Sequence, residues 1–221
     1  RQRYSAAVEK PSYTYATGSS AVALTVEFTL DMSKLPKSPF TDVTAGAWFY
    51  DAVLYASGRE LMVGTADATF SPNMPMTRAM LVAVLYRLAG SPSVSGKTPF
   101  TDVAAGTWYS DAVLWAYQND IVAGTSDTTF EPLSNITREQ IVAIFSRYTA
   151  KFAPDKAKAA AELTGFADSA SVAGWAVDDM KWAVAQKIIG GRENGGRLYL
   201  APQGNASRAE VATILMQYCA L

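Results

Sequence analysis

One string of residues recurs three times, and that recurrence constrains the fold more than any other feature of the chain. FTDVTAGAWFYDAVLYA begins at Phe40, returns as FTDVAAGTWYSDAVLWA at Phe100, and returns again as FADSASVAGWAVDDMKWA at Phe166. The three phenylalanines are 60 and 66 residues apart, Trp48, Trp108 and Trp175 are 60 and 67 apart, and Arg78, Arg138 and Arg208 are 60 and 70 apart. The first two copies therefore align without gaps. The third gains one residue before its Trp and three more between Gly191 and Arg208.

Each copy reads as two helices joined by a loop. Apolar residues at helical spacing start the first helix near the Trp: Trp48, Ala52, Tyr55 and Ala56, then Trp108, Ala112, Trp115 and Ala116. Copy three keeps Trp175, Trp182 and Ala183 but carries Asp179 where the others have Ala. A hydrophobic exit follows, ending at Gly64, Gly124 and Gly191, where glycine suits a left-handed turn. Next comes an irregular loop with an apolar plug and a proline: Phe70 and Pro72, Phe130 and Pro132, Leu200 and Pro202. The second helix starts at a capping box in Thr137–Gln140 and Ser207–Glu210, whereas Thr77 has Met80 in place of the reciprocal acceptor. Stripes at Leu81, Leu85 and Leu88, at Ile141, Phe145 and Tyr148, and at Val211, Leu215 and Tyr218 complete the unit. One helical hairpin cannot bury such a stripe alone. Three can, packed around a pseudo-threefold axis, which predicts a mainly α fold.

The flanking stretches differ. Val22, Leu24, Val26, Phe28 and Leu30 alternate with Ala23, Thr25, Glu27 and Thr29, a strand pattern, and Ser12–Thr17 offers a partner. Residues 1–39 are expected to be a short β segment or the end of an upstream domain. The repeats then occupy 40–97, 98–163 and 164–221, the second carrying a linker whose PDKAKAAAEL stretch (154–163) predicts a short helix. The chain opens at Arg1 without a charged segment leading into an apolar core, so it reads as a fragment or processed product, with any export signal upstream.

Composition narrows the function. Nineteen basic and twenty acidic residues give a net charge of −1, which lacks the footprint of a nucleic-acid binder. The absence of histidine removes Ser-His-Asp and Cys-His nucleophilic sites and any His-ligated metal. Cys219 is alone and cannot form an internal disulfide. No apolar run reaches the ~20 residues of a membrane span. The sequence calls for no cofactor and no metal.

The repeat resembles the S-layer homology module. Copy two carries its pattern in Phe100-Thr101-Asp102-Val103, Trp108, Ile121-Val122-Ala123-Gly124, Phe130-Glu131-Pro132 and Ile136-Thr137-Arg138-Glu139-Gln140. The resemblance covers residues 40–221. It implies a three-pronged helical assembly with grooves between neighbouring repeats, in an extracellular protein of the bacterial cell wall or S-layer. It implies non-catalytic anchoring to a secondary cell-wall polysaccharide, often one bearing a pyruvate ketal on an amino sugar. It also implies that Arg78, Arg138 and Arg208 reach the ligand's acidic group, helped by Asp42, Asp102 and Asp168 and by Trp48, Trp108 and Trp175.

Elementary electrostatics bears on these residues. Each Arg sits at the first helical position, where a cation is disfavoured by ~0.3–1 kcal/mol. Free N–H groups at a helix start favour anions, and a guanidinium adds a planar donor fork for a carboxylate. The competing reading pairs each Arg with a nearby acid and uses it to pin repeats together. The aspartates either cap a local turn or hydrogen-bond the ligand. The tryptophans either fill the core or stack on a sugar. Asp51, Asp111 and Asp178 read as solvated first-turn acids. Met80, Ser207 and the Gly- and Arg-rich loop 192–198 depart from the family pattern, so one groove can differ from the others.

Two rivals compete with anchoring. A glycosidase needs only two carboxylates, but these acids recur at equivalent places and give no asymmetric pair. A structural module would self-associate or bind a protein partner through exposed aromatics.

Overall fold

The computed structural model describes residues 37–221, and Ser38–Leu221 form one compact unit. The expected N-terminal strands lie outside the described residues. Six helices carry the unit: α1 Tyr50–Gly58, α2 Arg78–Leu88, α3 Ser110–Gln118, α4 Arg138–Phe152, α5 Val177–Ala185 and α6 Arg208–Cys219. They fall two to a repeat.

Local chemistry sets the helix ends. Thr137 and Ser207 accept from the N3 amide while Gln140 and Glu210 reach back to the cap amide, so α4 and α6 start with complete capping boxes. Thr77 accepts from the Met80 amide, and α2 has only that half of the motif. The shorter helices α1, α3 and α5 have no side-chain cap. Their C-terminal ends are closed by bonds from the Leu61, Ile121 and Ile188 amides to the Ala56, Ala116 and Ala183 carbonyls, each 2.9 Å. The left-handed residues of these turns are Glu60, Asp120 and Lys187, not the glycines expected there. Of those glycines only Gly191 has positive φ. Gly64 is needed for close approach instead: a Cβ there would lie 2.8 Å from the Thr69 carbonyl oxygen.

The second helices supply the core with Leu81, Leu85, Ile141, Phe145, Val211 and Leu215, all fully buried. The plugs Phe70, Phe130 and Leu200 are fully buried too. Each first helix packs on a second helix of another repeat: α3 on α2, α5 on α4, and α1 on α6. The chain therefore exchanges helices between repeats, and the third repeat closes back onto the first. Three backbone bonds make the same circuit. The Ile136 amide donates to the Met76 carbonyl (2.9 Å), Ala206 to Ile136 (3.4 Å), and Met76 to Ala206 (2.8 Å).

Two local expectations change. The linker forms one 3-10 turn, Pro154–Ala157, and then no regular helix. A helix this short is poorly nucleated, and tertiary bonds win: the Ala161 amide donates to the Lys181 carbonyl, and the Trp182 and Gln186 side chains both donate to the Lys156 carbonyl. Copy three also holds a hairpin, β1 Arg192–Asn194 against β2 Arg197–Tyr199. Its loop, Gly195-Gly196, has both residues at positive φ, as a tight primed turn requires.

Candidate ligand-binding grooves

The repeated arginines are the most buried cations of the unit, with Arg78, Arg138 and Arg208 only 5–6% exposed. Each leaves its own repeat. Arg78 Nε donates to the Phe130 carbonyl (2.8 Å), Arg138 Nε to Leu200 (2.7 Å), and Arg208 Nε to Phe70 (2.8 Å). Each guanidinium thus grips the plug loop of the next repeat, and the last grips the first. Burial pushes all three below the ordinary arginine pKa, partly offset by nearby acids. That offset comes from Glu131 and Asp102 at Arg78, from Glu210 and Asp168 at Arg138, and from Asp42 at Arg208.

The helix starts are not free anion sites. The Arg78, Arg138 and Arg208 amides donate to the Ser134, Gly204 and Met74 carbonyls, and the next amides donate to Pro132, Pro202 and Pro72. The neighbouring repeat consumes the donors that the sequence offered to a ligand. What remains for an anion is the guanidinium edge.

The aspartates neither cap a helix nor pair with the arginines. Asp42 accepts from the Phe70 and Ser71 amides (2.8 and 2.7 Å), Asp102 from Phe130 and Glu131 (2.9 and 2.7 Å), and Asp168 from Leu200 and Ala201 (2.7 and 2.8 Å). Each carboxylate bridges the start of its repeat to the plug 28 residues on, or 32 in the third repeat, and also takes the amide of the left-handed residue that follows the plug: Ser71, Glu131 or Ala201. The plug carbonyl on the same turn is the one that the incoming Arg holds. Asp, plug and Arg therefore form one linked chain of bonds at each junction.

The tryptophans lie outside the core. Trp48, Trp108 and Trp175 are 66%, 58% and 57% exposed, which removes the core-packing reading. Trp48 stands edge-on to Phe49, and Trp108 to Tyr109, with centroids 5.2 and 5.1 Å apart. Trp48 lines a groove of about 320 Å³ together with Arg138, Arg192, Glu210 and the exit Ile188–Gly191. Residues of all three repeats meet there. A second groove, of about 560 Å³, is lined by the exit Val122–Gly124, Phe100, Tyr117 and Arg147. Asp51, Asp111 and Asp178 are exposed, first-turn acids as expected.

Sequence reasoning missed several groove residues. Arg192 donates to both oxygens of Glu210 (2.8 Å each). Burial alone would raise the Glu210 carboxyl, but bonds from Arg192 and the Ser207 amide, with the charges of Arg192 and Arg138, bring it below the ordinary value. Arg87 donates to the Leu61 carbonyl on the first exit (3.1 Å). Arg87 and Arg147 recur 60 residues apart, a signal present in the alignment, while copy three has Gln217. Burial raises the Asp179 carboxyl above its ordinary pKa, with Ser146 and Arg147 on α4 opposing the shift.

Comparison with known proteins places these grooves in context. A family model described as S-layer homology domain matches residues 39–79, 99–142 and 165–212. An amylopullulanase of Thermoanaerobacterium thermosulfurigenes is 32% identical over 76% of this chain, which spans 9% of that protein. The surface-layer 125 kDa protein of Lysinibacillus sphaericus is 31% identical over 68% of the chain and 12% of its own length. The cellulosome-anchoring protein of Acetivibrio thermocellus is 27% identical over 49% of the chain and 25% of its own length. The chain thus spans a quarter or less of each of these relatives.

Proposed function

This chain belongs to the S-layer homology domain family, and from that membership we propose that its three repeats anchor a larger protein to the wall by holding a secondary cell-wall polysaccharide in the grooves between them. It is a cell-surface anchoring module. In our reading the working units are residues 40–97, 98–163 and 164–221, arranged about a pseudo-threefold axis, with 1–39 as the join to what precedes them. The closed circuit of helix pairs, backbone bonds and arginine contacts supports that arrangement. The module itself does no chemistry on the glycan. The recurring acids Asp42, Asp102 and Asp168 are committed to loop amides.

One observation carries this reading: a buried guanidinium from one repeat lies in a groove that an exposed tryptophan also lines. A buried guanidinium is desolvated, which strengthens its attraction for a carboxylate. An exposed indole face offers a platform for a sugar ring. Arg78, Arg138 and Arg208 are the candidate anion contacts and Trp48, Trp108 and Trp175 the stacking surfaces. Asp42, Asp102 and Asp168 position the plug carbonyls that aim the arginines. Several grooves on one chain and a repeating polymer together give avidity.

Co-sedimentation with purified bacterial walls, complete or stripped of secondary polysaccharide, tests this. The chain should pellet with complete walls and stay in solution with stripped ones. Replacing Trp48, Trp108 and Trp175 by Ala, all at exposed positions, should lower the bound fraction at least ten-fold without changing the circular dichroism. Binding indifferent to the polymer and to the tryptophans contradicts anchoring through the grooves and favours a protein partner or self-assembly.

A further inference from the structure

The second helices α2, α4 and α6 start at the repeated arginines, and their other ends close around a pocket of about 460 Å³. We propose that this pocket is a ligand site separate from the grooves, built for a small aromatic ring that carries a carboxylate. Leu88, Tyr148 and Tyr218 close the three apolar stripes at equivalent positions of the repeats, and all three line the pocket. Phe152 and Cys219, the last residues of α4 and α6, line it as well. Its volume falls within the ~300–1,000 Å³ of small-molecule sites. The helix α4 runs 15 residues from Arg138 to Phe152. At ~1.5 Å per residue, the pocket lies about 20 Å from the start of that helix.

The walls are aromatic. Tyr148 packs on Phe152 and Tyr218, with centroids 5.0 and 5.9 Å apart, and Phe152 stacks parallel to the buried Trp115 at 6.0 Å. Phe152 is nevertheless 47% exposed, so it leaves ring surface open for another ring. Two tyrosine hydroxyls are committed inside the protein: Tyr218 bonds the Thr149 hydroxyl (3.1 Å), and Tyr55 bonds Cys219. Burial pushes the Tyr148 phenol up to about 12 and raises Tyr55, Tyr218 and the Cys219 thiol, so all four stay neutral. A sugar must exchange the water on each of its hydroxyls for a protein partner, and few are offered here. An apolar ring needs only the faces.

The charge at the pocket comes from two side chains that the repeat pattern does not supply. Arg59 follows α1 where the other copies have Asn119 and Gln186, and Lys156 lies in the 3-10 turn after α4. Asn119 and Gln186 donate to the Trp115 and Lys156 carbonyls (2.8 Å each). Arg59 makes no such bond. Its guanidinium lies over the Tyr55 ring, 3.8 Å from the centroid. Among the described residues, Arg59 and Lys156 have no side-chain hydrogen bond and no ion pair, not even with their neighbours Glu60 and Asp155. No carboxylate lines the pocket. The helix ends there carry negative partial charge, which these two cations offset. A guanidinium stacked by its face keeps its edge for a carboxylate, which it binds through two parallel bonds. The ligand ring then lies against Phe152 and Tyr148, its carboxylate at Arg59 with Lys156 as the second charge.

Titration of the whole chain with 2-naphthoate tests this, with the uncharged 2-naphthamide and the sugar acid glucuronate as controls. Calorimetry gives stoichiometry and affinity, and backbone amide shifts locate the ligand. One equivalent of naphthoate should bind, with shifts at Arg59, Ala153 and Cys219. The amide and glucuronate should bind at least ten-fold more weakly. Arg59→Gln combined with Lys156→Gln should weaken naphthoate at least ten-fold and leave the amide unchanged, whereas Phe152→Ala should weaken both. All three positions are exposed, and circular dichroism checks that each variant is folded. Equal affinity for acid and amide, tighter binding of glucuronate, shifts confined to other residues, or no binding by the folded chain at millimolar naphthoate would overturn the proposal. The double variant should still pellet with complete bacterial walls as the wild type does, because neither residue belongs to the grooves.

Discussion

Arg138 and Glu210 show how one side chain changes the meaning of a shared motif. In the sequence Glu210 is a helix-capping acid, and in the structure it also neutralises an arginine from another repeat. Its pKa lies below the ordinary carboxylate value, so it contributes stability above the unfolded-state pKa, about 4.3. That contribution fades as pH falls through the depressed folded value. Glu210→Gln should therefore melt below the wild type at pH 7, with the gap closing as the pH is lowered from 5 toward 3. Thermal melts across that range check it; a gap that stays constant would show that the charge is not what stabilises. The recurring Arg, Asp and Trp positions were legible from the repeats. Their partners were not, because Asp102 bonds to an amide 28 residues away and Arg78 to a carbonyl 52 away. Nothing in local sequence encodes such distances. The tryptophans misled for a related reason. Helical spacing counts Trp48 onto the apolar face of α1, but α1 begins only at Tyr50, so the indole stands before the helix.

Elements with strong local signals matched the sequence closely. Three of six helix starts turn on a residue visible beforehand, the caps at Thr77, Thr137 and Ser207. The complete capping box should make Thr137 matter more than Thr77. Thr137→Ala should cost about 1 kcal/mol and Thr77→Ala less, since Met80 returns no bond. Urea unfolding of the two variants compares them, and equal losses would mean that the reciprocal bond adds nothing. Weak local signals failed where tertiary bonds compete. The Ala-rich linker has helix formers but too little length to nucleate, and its backbone is drawn to Lys181 and α5 instead. The hairpin at 192–199 was readable in principle from Asn194-Gly195-Gly196, a strong turn signal, yet it hid inside a loop defined by the repeat alignment.

At the scale of the whole described unit, cohesion comes from exchange between repeats rather than from within them. The first helix of each repeat packs on the second helix of another, and the plug of each is held by the arginine of the one before it. A groove is thus a product of assembly: Trp48, Arg138 and Glu210 come from three different repeats. This explains why a module of such repeats uses them together. The same arginines lock the fold through Nε, and Arg138 also lines the groove with Trp48. The most direct measurement is a crystal structure of the chain with the pyruvate-ketal amino sugar bound. The account predicts the ligand carboxylate within hydrogen-bond distance of Arg78, Arg138 or Arg208, with a sugar face against an exposed tryptophan. A ligand seated away from these arginines, or one whose carboxylate points into solvent, would contradict it.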